Sequence, residues 1–110
     1  MTDGYEPLAR AEDLPVGALL GVTTARGEPV CLVNHDGQIH AVGGHCAHQG
    51  FPLADGTLLP NGRLECAWHG AQYDLRSGAP VHPPADEPIA VYDVTVRNGM
   101  VLVRARGPRP

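Results

Sequence analysis

The chain has 110 residues, the size of one domain, and 43% of them are apolar, which excludes a disordered polymer. Eight basic residues against 12 acidic give a formal net charge of −4, which argues against nucleic acid or an anionic membrane surface as the main partner. The longest apolar run, "VGALLGV", is far too short to span a membrane, and the opening "MTDGYEPLAR" lacks the order of a signal peptide, so the expected location is the cytoplasm.

Gly (14) and Pro (11) interrupt almost every window long enough for a helix, so the expectation is an all-β chain of short strands and tight turns. In chain order, "ALLGVTT" reads as a strand that closes at Arg26-Gly27. "EPVCLVNHDGQIHAV" reads as two strands, Val30 to Val33 and Ile39 to Val42, folded back at Asp36-Gly37. "IAVYDVTVRNGMVLV" repeats that arrangement, with Asn98-Gly99 joining Val91–Val96 to Met100–Val103. The tail from Arg104 to Pro110 is expected to fray. His35 and His40, flanking a turn, are expected to be solvated, and Cys31, in an apolar strand, to be buried packing.

Between the β-rich ends lies a section from about 43 to 88, dense in Gly, Pro, His and Cys. Such a section needs an organising centre of its own, which a metal site supplies. Its donors are two pairs: Cys46 with His48, and Cys66 with His69. Two thiolates and two imidazoles suit either a tetrahedral zinc ion or an iron–sulfur cluster in which two histidines replace two cysteines on one iron. Zinc sites usually present a Cys pair followed by a His pair, whereas here each loop offers one of each. A two-iron core fits that mixed order better than a single ion. Zinc remains the structural alternative.

The segments "CAH" (46–48), "CAWHG" (66–70) and "YDLRSG" (73–78) resemble the Rieske [2Fe–2S] signature, and "HDGQIHAV", "PLADGTL", "HPPADEPIAVYDV" and "NGMVLV" are similar in order and spacing to the small soluble Rieske ferredoxins. The resemblance runs from about Leu8 to Val103. It implies a single domain over 1–110 with the Rieske fold, an antiparallel β-sandwich scaffold carrying a loop-rich cluster-binding subdomain. It also implies one [2Fe–2S] cluster, with Cys46 and Cys66 on one iron and His48 and His69 on the other, their rings towards solvent. Gly50 and Gly70 would let the backbone turn around the cluster, and Gly78 to Pro84 would form a proline-rich loop covering it.

Neutral imidazoles leave such a site less negative than four thiolates would, which makes an added electron easier to accept. Family potentials accordingly lie at roughly −150 to +300 mV. The positions where high-potential relatives carry a disulfide are Phe51 and Trp68 here, and their sulfur-binding serine is Ala71, although their tyrosine is kept as Tyr73. The expectation is a potential in the lower half of the range. Ala47 and Ala67 depart from the common "CTH" and "CPWHG" without removing a donor.

The function this implies is that of a one-electron carrier, not a catalyst, passing electrons from a flavoprotein reductase to a terminal oxygenase in transient encounters. The alternatives are a small Rieske subunit of a larger redox enzyme such as assimilatory nitrite reductase, and a zinc-stapled interaction module.

Overall fold

The computed structural model describes residues 4–45, 52–67, 70–83, 85 and 87–106. Their strands are β1 (Glu6–Arg10), β2 (Leu19–Thr23), β3 (Pro29–His35), β4 (Gln38–Gly43), β5 (Thr57–Leu58), β6 (Arg63–Glu65), β7 (Gln72–Asp74), β8 (Pro80–His82), β9 (Val91–Arg97) and β10 (Met100–Ala105). They form two antiparallel sheets. The larger has the order β1-β10-β9-β4-β3-β2, and the smaller runs β5-β6-β7-β8.

The expected hairpins are present, and their turns explain them. Asp36 and Gly37 have φ of 53° and 94°, and Asn98 and Gly99 have 52° and 77°. Two successive positive φ values make the tight turn whose twist matches the flanking strands. Register follows, with His35 opposite Gln38 and Met100 opposite Arg97.

Each strand of these hairpins runs slightly further than the apolar pattern indicates. β10 continues to Ala105 because Arg104 and Arg106 both bind Asp93 on β9, each at 3.1 Å. Those two residues are therefore held, while 107–110 lie outside the described residues.

β3 organises the core. Val30, Cys31, Leu32, Val33 and Asn34 are all buried, so both faces of this strand are covered. One face, with Cys31, Val33 and Val42, packs on Leu53, Leu64, Cys66, Ala71, Tyr73 and Leu75 from the middle section and on Ile89. The other, with Val30, Leu32 and Ala41, packs on Leu14, Val101 and Val103. The edges β1 and β2 of the larger sheet are drawn together where the Glu6 carboxylate accepts the Ala25 backbone N–H at 2.9 Å.

The middle section is more ordered than its composition suggests. It contains all four strands of the smaller sheet and contributes six of the buried residues facing β3, with Ile89 just beyond its end. A small sheet and a hydrophobic face shared with β3 organise it together, where the composition pointed to a metal centre for that part.

The solvated histidines are also corrected. His35 is only partly exposed, and its Nε2 lies 3.1 Å from the Pro60 carbonyl oxygen. His40 is half-buried, and that burial, with His35 and Arg76 nearby, lowers its pKa against a smaller opposing pull from Asp74.

Cys31 matches its expectation. It is fully buried, and burial pushes its thiol from 9.0 to about 12. The unfolded thiol ionises near 9.0 while the folded one stays protonated up to about 12, so the native state loses stability as pH rises through that interval. The expected result of urea titrations is a midpoint that falls above pH 9 in the wild type and less so in Cys31→Ala, compared with each protein's own midpoint at pH 8.

Asn34 is the buried polar residue among the described core. Its amide nitrogen donates to the Leu14 carbonyl at 2.8 Å and its side-chain oxygen accepts the Gly37 N–H at 2.9 Å. It thus ties the β3–β4 turn to the segment before β2. Asn34→Ala leaves both partners unpaired and lowers unfolding free energy by about 1–3 kcal/mol, read from the urea midpoint at unchanged slope.

Candidate metal centre

The four donors belong to two loops, and the structure defines the roots of both. The first loop leaves β4. Gly44 donates to the Pro29 carbonyl at 3.0 Å, His45 bridges Pro52 in antiparallel fashion, and Leu53 donates back to the Gly44 carbonyl at 2.8 Å. Residues 46–51 span this closed base, with Cys46 and His48 among them.

The second loop joins β6 to β7. Glu65 stands opposite Gln72, and the Cys66 N–H donates to the Ala71 carbonyl at 2.7 Å. His69 falls in the sequence between them. Cys46, His48 and His69 lie outside the described residues, as do Gly50, Phe51, Trp68 and Pro84.

Cys66 is described, and its position is informative. Its side chain is 1% exposed, at the root of the second loop, in the same cluster as Leu53 at the root of the first. A thiol buried there lies in the protein interior and not in solvent. Gly70, expected to permit a sharp turn, has φ of 72°, which a side chain would strain.

A strap locks the two roots together. After the first loop, Leu53–Asp55 forms one short 3-10 turn, and Thr57 and Leu58 then pair with Glu65 and Leu64. At the crossing, a Cβ on Gly56 would strike the Glu65 carbonyl oxygen. Only glycine lets the strap lie flat against β6. Gly44 plays the same part at the other end, where a Cβ would sit 2.8 Å from the Pro29 carbonyl carbon and from the Val30 nitrogen. These two glycines were not singled out by sequence reasoning. Their signal in the sequence was glycine on either side of the first Cys/His loop.

The segment expected to cover the site is partly a strand. Pro80–His82 pairs with β7 as an edge strand, Gln72 opposite His82 and Tyr73 opposite Pro80, with a bulge between. Proline is tolerated there because an edge strand's outward N–H has no partner to lose. The segment then returns through Ile89, whose N–H donates to the Gly78 carbonyl at 2.9 Å, and Ala90, whose carbonyl accepts the Gly43 N–H at 2.8 Å. His82 is exposed, with Nδ1 2.7 Å from the Pro83 carbonyl oxygen. Ala71 and Tyr73 are both fully buried beside Cys66 in the core cluster.

Among the described residues no group of three or more His, Cys, Asp or Glu side chains forms a metal site, as follows from three of the four candidate donors lying outside them. The donor set itself, two thiols and two imidazoles divided between two rigidly joined loops, fits a two-iron sulfide-bridged group. The buried Cys66 at a loop root fits the sulfur side of it.

Comparison with known proteins agrees. Residues 4–93 match the Rieske [2Fe-2S] domain. Over 93 residues the chain is 32% identical to the 3-phenylpropionate/cinnamic acid dioxygenase ferredoxin subunit of Photorhabdus laumondii, covering 84% of this chain and 86% of that protein. It is 34% identical over 98 residues to human apoptosis-inducing factor 3, covering 89% of this chain but spanning only 16% of that protein's length. Among solved structures, a complex of reduced oxygenase and oxidised ferredoxin in carbazole 1,9a-dioxygenase contains a chain superposing with a TM-score of 0.86 at 25% identity, over 97% of this chain and 100% of that one.

The strap gives a direct test of the frame. Gly56→Ala forces a methyl group into the β6 backbone and costs about 1–3 kcal/mol of stability. Chemical denaturation shows the loss, and iron bound per chain falls with it.

Proposed function

This chain belongs to the Rieske [2Fe–2S] family, and we propose that it carries single electrons from a flavoprotein reductase to a terminal oxygenase of the ring-hydroxylating type. The observation that carries the reading is the placement of Cys66, buried at the root of one loop and packed in one core with the root of the other.

In this reading Cys46 and Cys66 hold one iron through thiolate sulfur, and His48 and His69 hold the other through imidazole nitrogen. The bound group supplies a centre that accepts and releases one electron. The protein's own part is to hold the donors still. The Gly44 and Gly56 contacts and the Cys66–Ala71 hydrogen bond fix both loop roots, so that little of the frame must move when the charge changes.

Support for the partners comes from the relatives: a ferredoxin subunit of a dioxygenase, and a neighbour seen in complex with an oxygenase. A carrier must leave each partner quickly, so its contacts are small and short-lived. We place the protein in the cytoplasm, a reducing compartment that keeps thiols available as metal ligands. Among the described residues no helix is long and apolar enough to cross a membrane.

The test is iron and acid-labile sulfide analysis on purified protein. The wild type is red-brown, is bleached by dithionite, and gives an electron paramagnetic resonance signal averaging below the free-electron g value. Cys66→Ser and Cys46→Ser lose iron and sulfide together, while Cys31→Ser keeps both. Zinc in place of iron rejects the reading. Turnover reconstituted with a reductase and an oxygenase, and abolished when this chain is left out, establishes the direction of flow.

A further inference from the structure

Glu65 immediately precedes Cys66, and its carboxylate has a defined place. Gln72, its partner across the β6–β7 ladder, directs its amide nitrogen to Glu65 Oε2 at 3.2 Å. A carboxylate only accepts hydrogen bonds, so the nitrogen of the Gln72 amide must be the end that faces it. The same Oε2 would lie 3.8 Å from a Cβ on Gly70, the residue after His69. The carboxylate therefore sits against the base of the second loop, near the residues that flank its two candidate donors in sequence, half-buried and held on one side by a neutral group.

Among the described residues no cation is paired with it. Arg63, on the same face of β6, makes none with it. The segments 44–56 and 65–72 contain neither arginine nor lysine.

A fixed negative charge beside a centre that gains an electron opposes that gain, and partial burial keeps water from screening it fully. We propose that Glu65, clamped by Gln72, is a tuning residue that lowers the reduction potential of the metal centre. It acts through its field and touches no partner. The inference rests on the proposed ligand set.

The experiment is a redox titration of the wild type, Glu65→Gln and Glu65→Asp, each first assayed for iron and sulfide. Glu65→Gln keeps the shape and a hydrogen bond to Gln72 while removing the charge. At a fixed solution potential its ratio of reduced to oxidised centre rises about tenfold over the wild type, equivalent to about 59 mV for one electron. Glu65→Asp, which retains the charge, shifts less than a third as far. An unchanged potential in fully loaded Glu65→Gln overturns the proposal, as does an equal shift in both variants. A folded Glu65→Gln that takes up no iron assigns the residue to holding the loop and also overturns it. Wild-type protein without iron and sulfide instead rejects the ligand reading on which the proposal stands.

Discussion

The structure depends on the close crossing of Gly56 over the Glu65 carbonyl. Two loops from different parts of the chain can present donors to one group only if their roots are fixed relative to each other. Here that fixing is done by backbone against backbone, with no side chain between. Leu53 and Leu64 then fill the space beneath, and both are fully buried. Stability and site geometry are therefore one property. A change that loosens the strap separates the loops even when every donor remains.

The core explains how a chain of this size sustains a loop-rich end. β3 is covered on both faces, by the larger sheet's own elements on one side and by the middle section on the other. The smaller sheet does not need an independent core, because Cys31, Val33 and Val42 provide half of one. Placing a reactive residue type, cysteine, at such a position is safe because burial holds Cys31 as the neutral thiol, with its pKa at about 12. Cys66, in the same cluster, differs by lying at the root of the loop between β6 and β7.

Much of this was legible in the sequence. Asp36-Gly37 and Asn98-Gly99 announced their turns because few residue pairs adopt two consecutive positive φ values, and both turns occur as expected. The Rieske signature carried the family. The four short strands of the smaller sheet were not legible. Arg63–Glu65, Gln72–Asp74 and Pro80–His82 each have three residues, too few for an alternating pattern, and they are specified by long-range pairing. His35 also escaped, because its partner is the carbonyl of Pro60, distant in sequence and invisible to local pattern. Of the site itself, residue types and spacing proposed four donors, three of which lie outside the described residues, while the glycines that join the loops and the Glu65–Gln72 clamp emerge only when the two hairpin roots are laid side by side.

The contact between Glu6 and Ala25 bears on how the molecule behaves in a crowd. A sheet with open margins offers unsatisfied N–H and C=O groups to any passing strand, and a second copy of the same chain is always the nearest candidate. Drawing the two margins of the larger sheet towards each other removes that invitation, and starting β8 with proline blunts the margin of the smaller one. Surfaces left for encounter are then made of loops and side chains, which form contacts that dissolve, whereas backbone ladders persist. The carrier role proposed above, in which each partner must be left quickly, is served by sheet margins blunted in this way.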